Sequence, residues 1–445
     1  MTKPVSIDDI QNTPDTDLGL EMSLDSRLDN IDDLNYATLT DALEQTVFEN
    51  FDDGLYIGMM SGTSLDGMDA VLCQFSSDSS AETDTQQPMR LLATHSQEFP
   101  PRLRKVLLAL CQPNGVQELV PAEGEPNSEL DWFGWASKEY AEFASEAVNN
   151  LLQQSNTDVE SVLAIGCHGQ TVRHRPQLGF SLQLLDANII AERTGISVVS
   201  DFRRRDMAVG GQGAPLVPAF HQALFATPDS TCVLLNLGGI ANITVLPASD
   251  SPVIGYDTGP ANLLLDAWTA LHTYKDYDAG GAWAQSGQVV EPLLNQLIEH
   301  PFFARTYPKS TGREDFNLVW LQDELQKFDQ ASAIRYSSAD VQATLTELTA
   351  MSASMQINMF INAHENSSVY VCGGGALNDY LMTRLQAHLP HCTVETTASL
   401  GLNPAWVEAV AFAWLARQTL MGETGNLPAV TGASKGVVLG QVCFA

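Results

Sequence analysis

The stretch Tyr56-Ile-Gly-Met-Met-Ser-Gly-Thr-Ser-Leu-Asp-Gly-Met-Asp-Ala-Val-Leu-Cys-Gln-Phe75 reads as an apolar strand, a turn of small polar residues (Ser61-Gly62-Thr63-Ser64) and a second apolar strand. The plan recurs at Cys232-Val-Leu-Leu-Asn-Leu-Gly-Gly-Ile-Ala-Asn-Ile-Thr-Val-Leu246, where Gly238-Gly239-Ile240-Ala241-Asn242 stands in place of the turn. Glycine and hydroxyl residues between apolar runs mark tight hairpins. One such hairpin is common. Two on the same plan point to two related lobes, each offering a turn to a shared cleft. Further apolar runs end in turn residues at Val162–Gly166, Ile196–Val199 and Val369–Cys372. Helical patterns alternate with them at Arg102–Cys111, Asp131–Gln154, Ala214–Phe225, Asn262–Leu271, Val341–Ala363 and Glu408–Met421. That alternation implies an α/β fold with mixed or parallel sheets.

Composition narrows the function classes. The 445 residues are enough for roughly two or three domains. With 22 Lys+Arg against 54 Asp+Glu the formal charge is −32, which argues against a nucleic-acid partner and against an anionic membrane surface. Residues 1–53 hold 14 Asp/Glu against only Lys3 and Arg27, and read as an acidic extension, disordered or loosely helical. Seven scattered cysteines without a CxxC read as reduced thiols of a cytoplasmic protein. No signal-peptide pattern or membrane-length apolar run is present.

The motifs point to anion chemistry. In Gly58–Asp69, a glycine- and hydroxyl-rich turn after a buried strand exposes backbone N–H groups suited to phosphate oxygens. It lacks the lysine of a Walker A loop. Asp66 and Asp69 are acceptors that suit Mg²⁺, directly or through water; the bland alternative is a plain hairpin. Gly238, Gly239 and Asn242 form a second such turn, and Gly373-Gly374-Gly375-Ala376-Leu377-Asn378 a third, leading into a helix. Asp257, within Gly255–Asn262, is expected at a strand end opening a helix, as general base, metal ligand or simple N-cap. Basic residues gather at Gly166–Arg175 and Asp201–Asp206, where Arg forks suit carboxylate or phosphate or pair internally with acids. Lys309–Asn317 is a lid or an ordinary surface loop. Glu408 sits in the first turn of a helix, where solvent-facing capping is the simpler role.

These residues resemble the anhydro-N-acetylmuramic acid kinase family over nearly all of Leu55–Ala445. The matching blocks are MSGTSLDGMD (60–69), GCHGQTVRH (166–174), DFRRRDMAVGGQGAPLVPAFH (201–221), LNLGGIANIT (235–244), GYDTGPAN (255–262), KSTGREDFN (309–317), CGGGALN (372–378) and PAWVEAVAFAWLA (404–416). The resemblance implies two ribonuclease-H-like lobes of the actin-like ATPase and sugar-kinase architecture, closing on an ATP cleft. On that pattern 54–201 with 431–445 form one lobe and 202–430 the other. It implies a Mg²⁺ATP-dependent enzyme that opens the 1,6-anhydro bond of anhydro-N-acetylmuramic acid with water and phosphorylates O6, in peptidoglycan recycling. The product is N-acetylmuramate 6-phosphate.

By the same resemblance, nucleotide contacts fall on Gly62, Thr63, Ser64, Leu65, Asp66, Gly67, Met68 and Asp69, on Gly238, Gly239 and Asn242, and on Gly373, Gly374, Gly375 and Asn378. Asp66 is the metal candidate. Asp257 is the catalytic base, with Asp206 as fallback. His168, Thr171, Arg205 and Glu408 line the sugar site, and a homodimer is expected. Another sugar or carboxylate kinase of the same fold would keep the phosphate turns but not the GCHGQT, DFRRRD and KSTGRED blocks. A chaperone-like or filament-forming ATPase would need a further module that the chain does not show. Residues 1–53 have no counterpart in the family pattern, so a truncation lacking them is expected to retain activity in a phosphotransfer assay.

Overall fold

The computed structural model describes residues 51–62, 65–76, 89–121, 124, 126–248, 251–361 and 367–445. The acidic extension before residue 51, with Thr63 and Ser64 of the first turn, lies outside the described residues. Two principal sheets organise the rest. The first contains β1 (Gly54–Met60), β2 (Gly67–Phe75), β3 (Met89–Glu98), β4 (Val162–Cys167), β7 (Val198–Ser200) and β13 (Gln441–Cys443), in the order β13-β7-β4-β1-β2-β3. Strands β5 (Gln170–Arg175) and β6 (Phe180–Leu184) form a separate hairpin. The second sheet contains β8 (Thr231–Leu237), β9 (Ile240–Leu246), β10 (Ile254–Pro260), β11 (Ser367–Cys372) and β12 (Thr393–Thr396), in the order β10-β9-β8-β11-β12.

The two sheets repeat one wiring. In each, the first three strands form an antiparallel meander, the fourth joins the first in parallel, and the fifth joins the fourth in parallel. The hairpins quoted first are β1–β2 and β8–β9, at equivalent places. This duplicated mixed sheet is the ribonuclease-H-like pair expected from the sequence. The helix expected over Val341–Ala363 runs instead over Ser338–Ile357, because Ser337 and Asp340 close a reciprocal capping box at its start.

The helices fill layers around the sheets. Pro101–Leu110, Glu129–Ser155 and Ala187–Thr194 cover one face of the first sheet. Val217–Phe225 and Val407–Leu420 share a core with residues of both sheets. Ser338–Ile357 and Asp379–His388 cover the far side of the second sheet, and a further helical cluster packs beyond them. Nearly every residue from Val407 to Ala416 is buried, so this helix is apolar all round, as expected of one enclosed between layers. Burying side chains the size of Val410, Phe412 and Leu415 stabilises by about 1.5–3 kcal/mol each.

Its approach to the sheet requires glycine. A Cβ on Gly58 of β1 would lie 1.9 Å from the Ala409 carbonyl oxygen, and one on Gly166 of β4 would lie 2.0 Å from that of Phe412. The same helix holds the entry of the chain. Arg417 pairs with the Asp52 carboxylate and donates to its carbonyl at 2.8 Å, while the Tyr56 hydroxyl donates to the Phe51 carbonyl at 2.6 Å. Phe51 and Asp52 thus belong to the folded body. Among the described residues no helix is long and apolar enough to cross a membrane.

Gly166→Ala is expected to lower stability by at least ~1–3 kcal/mol through overpacking. Chemical denaturation should show a lower midpoint with an unchanged slope.

Candidate active site

A polar row crosses the second sheet. Asn236 of β8 lies opposite Asn242 of β9, and Asn242 lies opposite Asp257 of β10, so all three share one face. At one end of the row the Asn236 amide donates to Glu408 Oε1 at 3.2 Å. Glu408 therefore turns inward from the first turn of the enclosed helix and is not a solvent-facing cap. Burial raises its pKa, against the lowering effects of Arg203 and the Asn236 hydrogen bond, and the Asp69 carboxylate adds to the rise.

At the other end stands Asp257. It lies inside β10, not at the start of a helix, and the register shifts between it and Gly259. The loop that follows residue 308 pairs with it: Asp257 N–H donates to the Lys309 carbonyl at 3.2 Å, and Thr311 N–H donates to Asp257 Oδ2 at 2.9 Å. Burial pushes the Asp257 carboxyl up to about 7, with Glu314 adding and the Thr311 bond opposing. A carboxylate so tuned can accept a proton near neutral pH. The loop is itself braced: the Thr311 hydroxyl donates to Asp315 at 2.8 Å, and the buried Lys309 ammonium lies 4.7 Å from the Phe302 ring centre.

Two glycine turns meet the top of β8. The carbonyls of Gly238 and Gly239 accept the N–H groups of Ala261, Asn262 and Leu263, which fasten the turn to the helix Asn262–Thr273. Gly373 has φ +79°, and a Cβ there would come 2.5 Å from Asn236 Oδ1. Only glycine suits both its backbone angle and that approach. The Asn378 side chain is occupied as an N-cap, accepting Leu381 N–H at 2.9 Å. Its amide oxygen therefore serves the helix Asp379–His388.

In the first sheet, Asp69 of β2 lies opposite Met60 of β1 and Ser96 of β3, and accepts the Ser96 hydroxyl at 2.8 Å. Burial raises its pKa, and the Ser96 bond opposes this. Leu65 and Met68 are core residues, so only their main chain is left to face a ligand. Asp66 is exposed and paired with Arg104 at 3.1 Å. Among the described residues no group of three or more His, Cys, Asp or Glu converges as a metal site.

The substrate-side candidates separate. His168 is buried just past β4 and accepts two Arg203 N–H groups at its Nε2. Thr171 lies on the β5–β6 hairpin, where its hydroxyl accepts the Gln183 amide at 3.0 Å. Arg205 points to solvent from the short helix Phe202–Ala208. Asp206 is fully buried and accepts Gly213 N–H, the Asn426 amide and the Thr431 hydroxyl at 2.8, 2.6 and 2.7 Å. A carboxylate so enclosed clamps the segments 206–213 and 426–431 together. Sequence reasoning missed Asn236, although a lone amide in the apolar run Leu234-Leu235-Asn236-Leu237 was its signal.

Asp206→Asn is expected to cost about 1–3 kcal/mol, because it replaces one of two acceptor oxygens by an amide NH₂ that faces donors. Thermal or chemical denaturation measures it.

A family model described as "Anhydro-N-acetylmuramic acid kinase" matches residues 54–445. A curated protein of that name from Psychrobacter arcticus is 83% identical over 437 residues, covering 93% of this chain and 100% of its own. One from Psychrobacter cryohalolentis is 84% identical with the same coverage, and one from Shewanella amazonensis is 49% identical, covering 87% of this chain and 97% of its own.

Proposed function

This chain belongs to the anhydro-N-acetylmuramic acid kinase family, and from that premise we propose how its site carries the reaction. The activity is that of a kinase on anhydro-N-acetylmuramic acid; another sugar or carboxylate kinase is not favoured. In our reading ATP is the phosphoryl donor and water the second co-substrate. Asp257 Oδ1 takes a proton from water as the water oxygen bonds to C1. The C1–O6 bond breaks, and its electron pair leaves on O6. O6 then attacks the γ-phosphorus, the bond to the bridging oxygen breaks, and ADP departs. The products are N-acetylmuramate 6-phosphate, ADP and the proton left on Asp257, which returns to solvent.

The observation that carries this reading is Asp257 itself: a half-buried carboxyl with one oxygen held by Thr311 N–H and a pKa pushed up to about 7. Such a group is base enough to accept a proton from water and sits in the row that ends at Glu408. The turns at 62–69, 238–242 and 373–378 supply backbone groups for the phosphates and adenosine. Positioning and charge neutralisation are most of what phosphoryl transfer asks of a protein. Mg²⁺, which needs only one or two carboxylates beside phosphate oxygens, fits the outward-facing Asp66 and would neutralise charge on the transferred group. His168 and Glu408 face the sugar. Thr171 joins them on the sugar side, and Arg205, exposed here, reaches the substrate carboxylate by turning inward. We keep the lobes as 54–201 with 431–445 and 202–430, with the helix Val407–Leu420 of the second lying against the sheet of the first. A homodimer and a cytoplasmic location complete the reading.

Asp257→Asn is expected to lower kcat by roughly 10²–10⁴-fold while ATP still binds by calorimetry. A near-wild-type rate would refute the assignment. In H₂¹⁸O the label should enter at C1 and not O6. The profile of kcat/KM should rise with pH through about 7 as Asp257 ionises. Stability runs the other way. A carboxyl raised from 3.8 to about 7 gives its full contribution below the lower value and loses it as pH climbs through the upper one.

A further inference from the structure

His168 is 4% exposed, and its ring lies 4.8 Å from that of Phe412 on the enclosed helix. Its main-chain N–H donates to the Met59 carbonyl at 3.2 Å, which fixes it beside the end of β1. It follows the last residue of β4. In an open sheet, ligands collect outside the carboxyl ends of such parallel strands.

Its ring has an unusual partner. Arg203 Nε lies 3.1 Å and Arg203 Nη2 2.9 Å from His168 Nε2. A guanidinium has five donors and no acceptor. Two of its N–H groups aimed at one ring nitrogen require that nitrogen to carry its lone pair. The proton of the neutral imidazole is then on Nδ1. A charged imidazolium, with donors on both nitrogens, would set cation against cation. Arg203 is itself fixed, since its Nη1 donates to the Gly213 carbonyl at 2.7 Å. Burial and the neighbouring guanidinium both drive the His168 pKa well down, consistent with a neutral ring.

The other end of the ring is unfinished. His168 Nδ1 is buried and has no hydrogen-bond partner among the described residues. The Gly169 backbone favours the ring proton without completing a bond to Nδ1. A buried N–H donor left unpaired forfeits its hydration without return, a loss that an incoming acceptor oxygen would recover.

We propose that Arg203 is a positioning residue that locks His168 as the Nδ1–H tautomer, so that this N–H is presented as a donor to an oxygen of the bound sugar. The second half rests on the substrate reading above; the first half does not. The inference gives the ring one polarity: His168 donates to substrate and does not act as a base. It also gives Arg203, and not the exposed Arg205, the part nearest the ligand in the run of three arginines.

The test uses the full-length protein labelled with ¹⁵N, with the His168 ring assigned by loss of its signals in His168→Gln. Long-range ¹H–¹⁵N spectra at pH 7 are expected to show a protonated Nδ1 and an unprotonated Nε2. A proton on Nε2, or on both nitrogens, overturns the proposal with no variant needed. Arg203→Met should release the proton to Nε2 and raise the KM for anhydro-N-acetylmuramic acid by about tenfold or more, leaving the KM for ATP unchanged. Arg203→Lys, which keeps a donor, should retain the tautomer and lose less. His168→Asn, whose amide nitrogen falls near the place of Nδ1, should keep sugar affinity better than His168→Gln. An unchanged tautomer in Arg203→Met, or equal sugar KM values for wild type and His168→Gln, would also overturn it. If wild type fails to turn over the sugar, the proposed function falls while the spectra still decide the tautomer. If turnover is normal and the tautomer is wrong, only this inference falls.

Discussion

The backbone of the helix Val407–Leu420 rests directly on two glycines of neighbouring strands, and most of the architecture depends on that contact. Gly58 and Gly166 leave no room for a side chain beneath Ala409 and Phe412. The helix thus sinks to a depth at which its apolar side chains join one core with residues of both sheets. Interiors are packed at crystal-like density, so such a helix cannot settle elsewhere without opening voids. Its depth also sets where Glu408 arrives, within reach of Asn236, and where Phe412 meets the His168 ring. A packing constraint in the core thereby fixes two polar groups at the site.

Much of this was legible in the chain. The hairpins were, because glycine turns between apolar runs have few other solutions. The paired lobes followed from finding the same hairpin twice, and the strand order of both sheets agrees with them. What the chain did not reveal has physical causes. Asp257 was expected to open a helix, since Gly-Tyr-Asp-Thr-Gly-Pro resembles a strand end. The strand continues to Pro260 because the register shift beside Asp257 absorbs the irregularity. Asn378, a candidate for the nucleotide site, also caps the following helix through its Oδ1, a role that one hydrogen bond reveals and the residue run did not. The choice among Arg203, Arg204 and Arg205 was out of reach. Phe202 and Asp206 fix the buried face of their helix, and the first and third arginines flank that face equally at 100° per residue. Only the neighbouring elements decide which of the two turns inward.

Charge at the site differs from charge on the surface. The chain is strongly acidic, yet the carboxyls that matter are those partly removed from water, where burial outweighs neighbouring charge in raising Asp257, Glu408 and Asp69. Arg203 is shifted the other way, down to about 10, by the same desolvation, with Glu408 and Asp206 opposing. It remains cationic at neutral pH. Its constancy makes it a suitable partner for a histidine whose proton must stay in one place.

The duplicated wiring of the two sheets has a geometric consequence. At the level where the first strand meets the last residue of the fourth, the rows are Met59, Ala70 and His95 in one sheet and Asn236, Asn242 and Asp257 in the other. Were the halves true copies, the space between them would have a pseudo-twofold axis, and a ligand would find the same groups in either orientation. The copies differ in chemistry at that level: the first row holds neither acid nor amide, and the second holds two amides and ends on an acid. That difference removes the symmetry, and with it the equivalence of the two ways a molecule could lie between the halves.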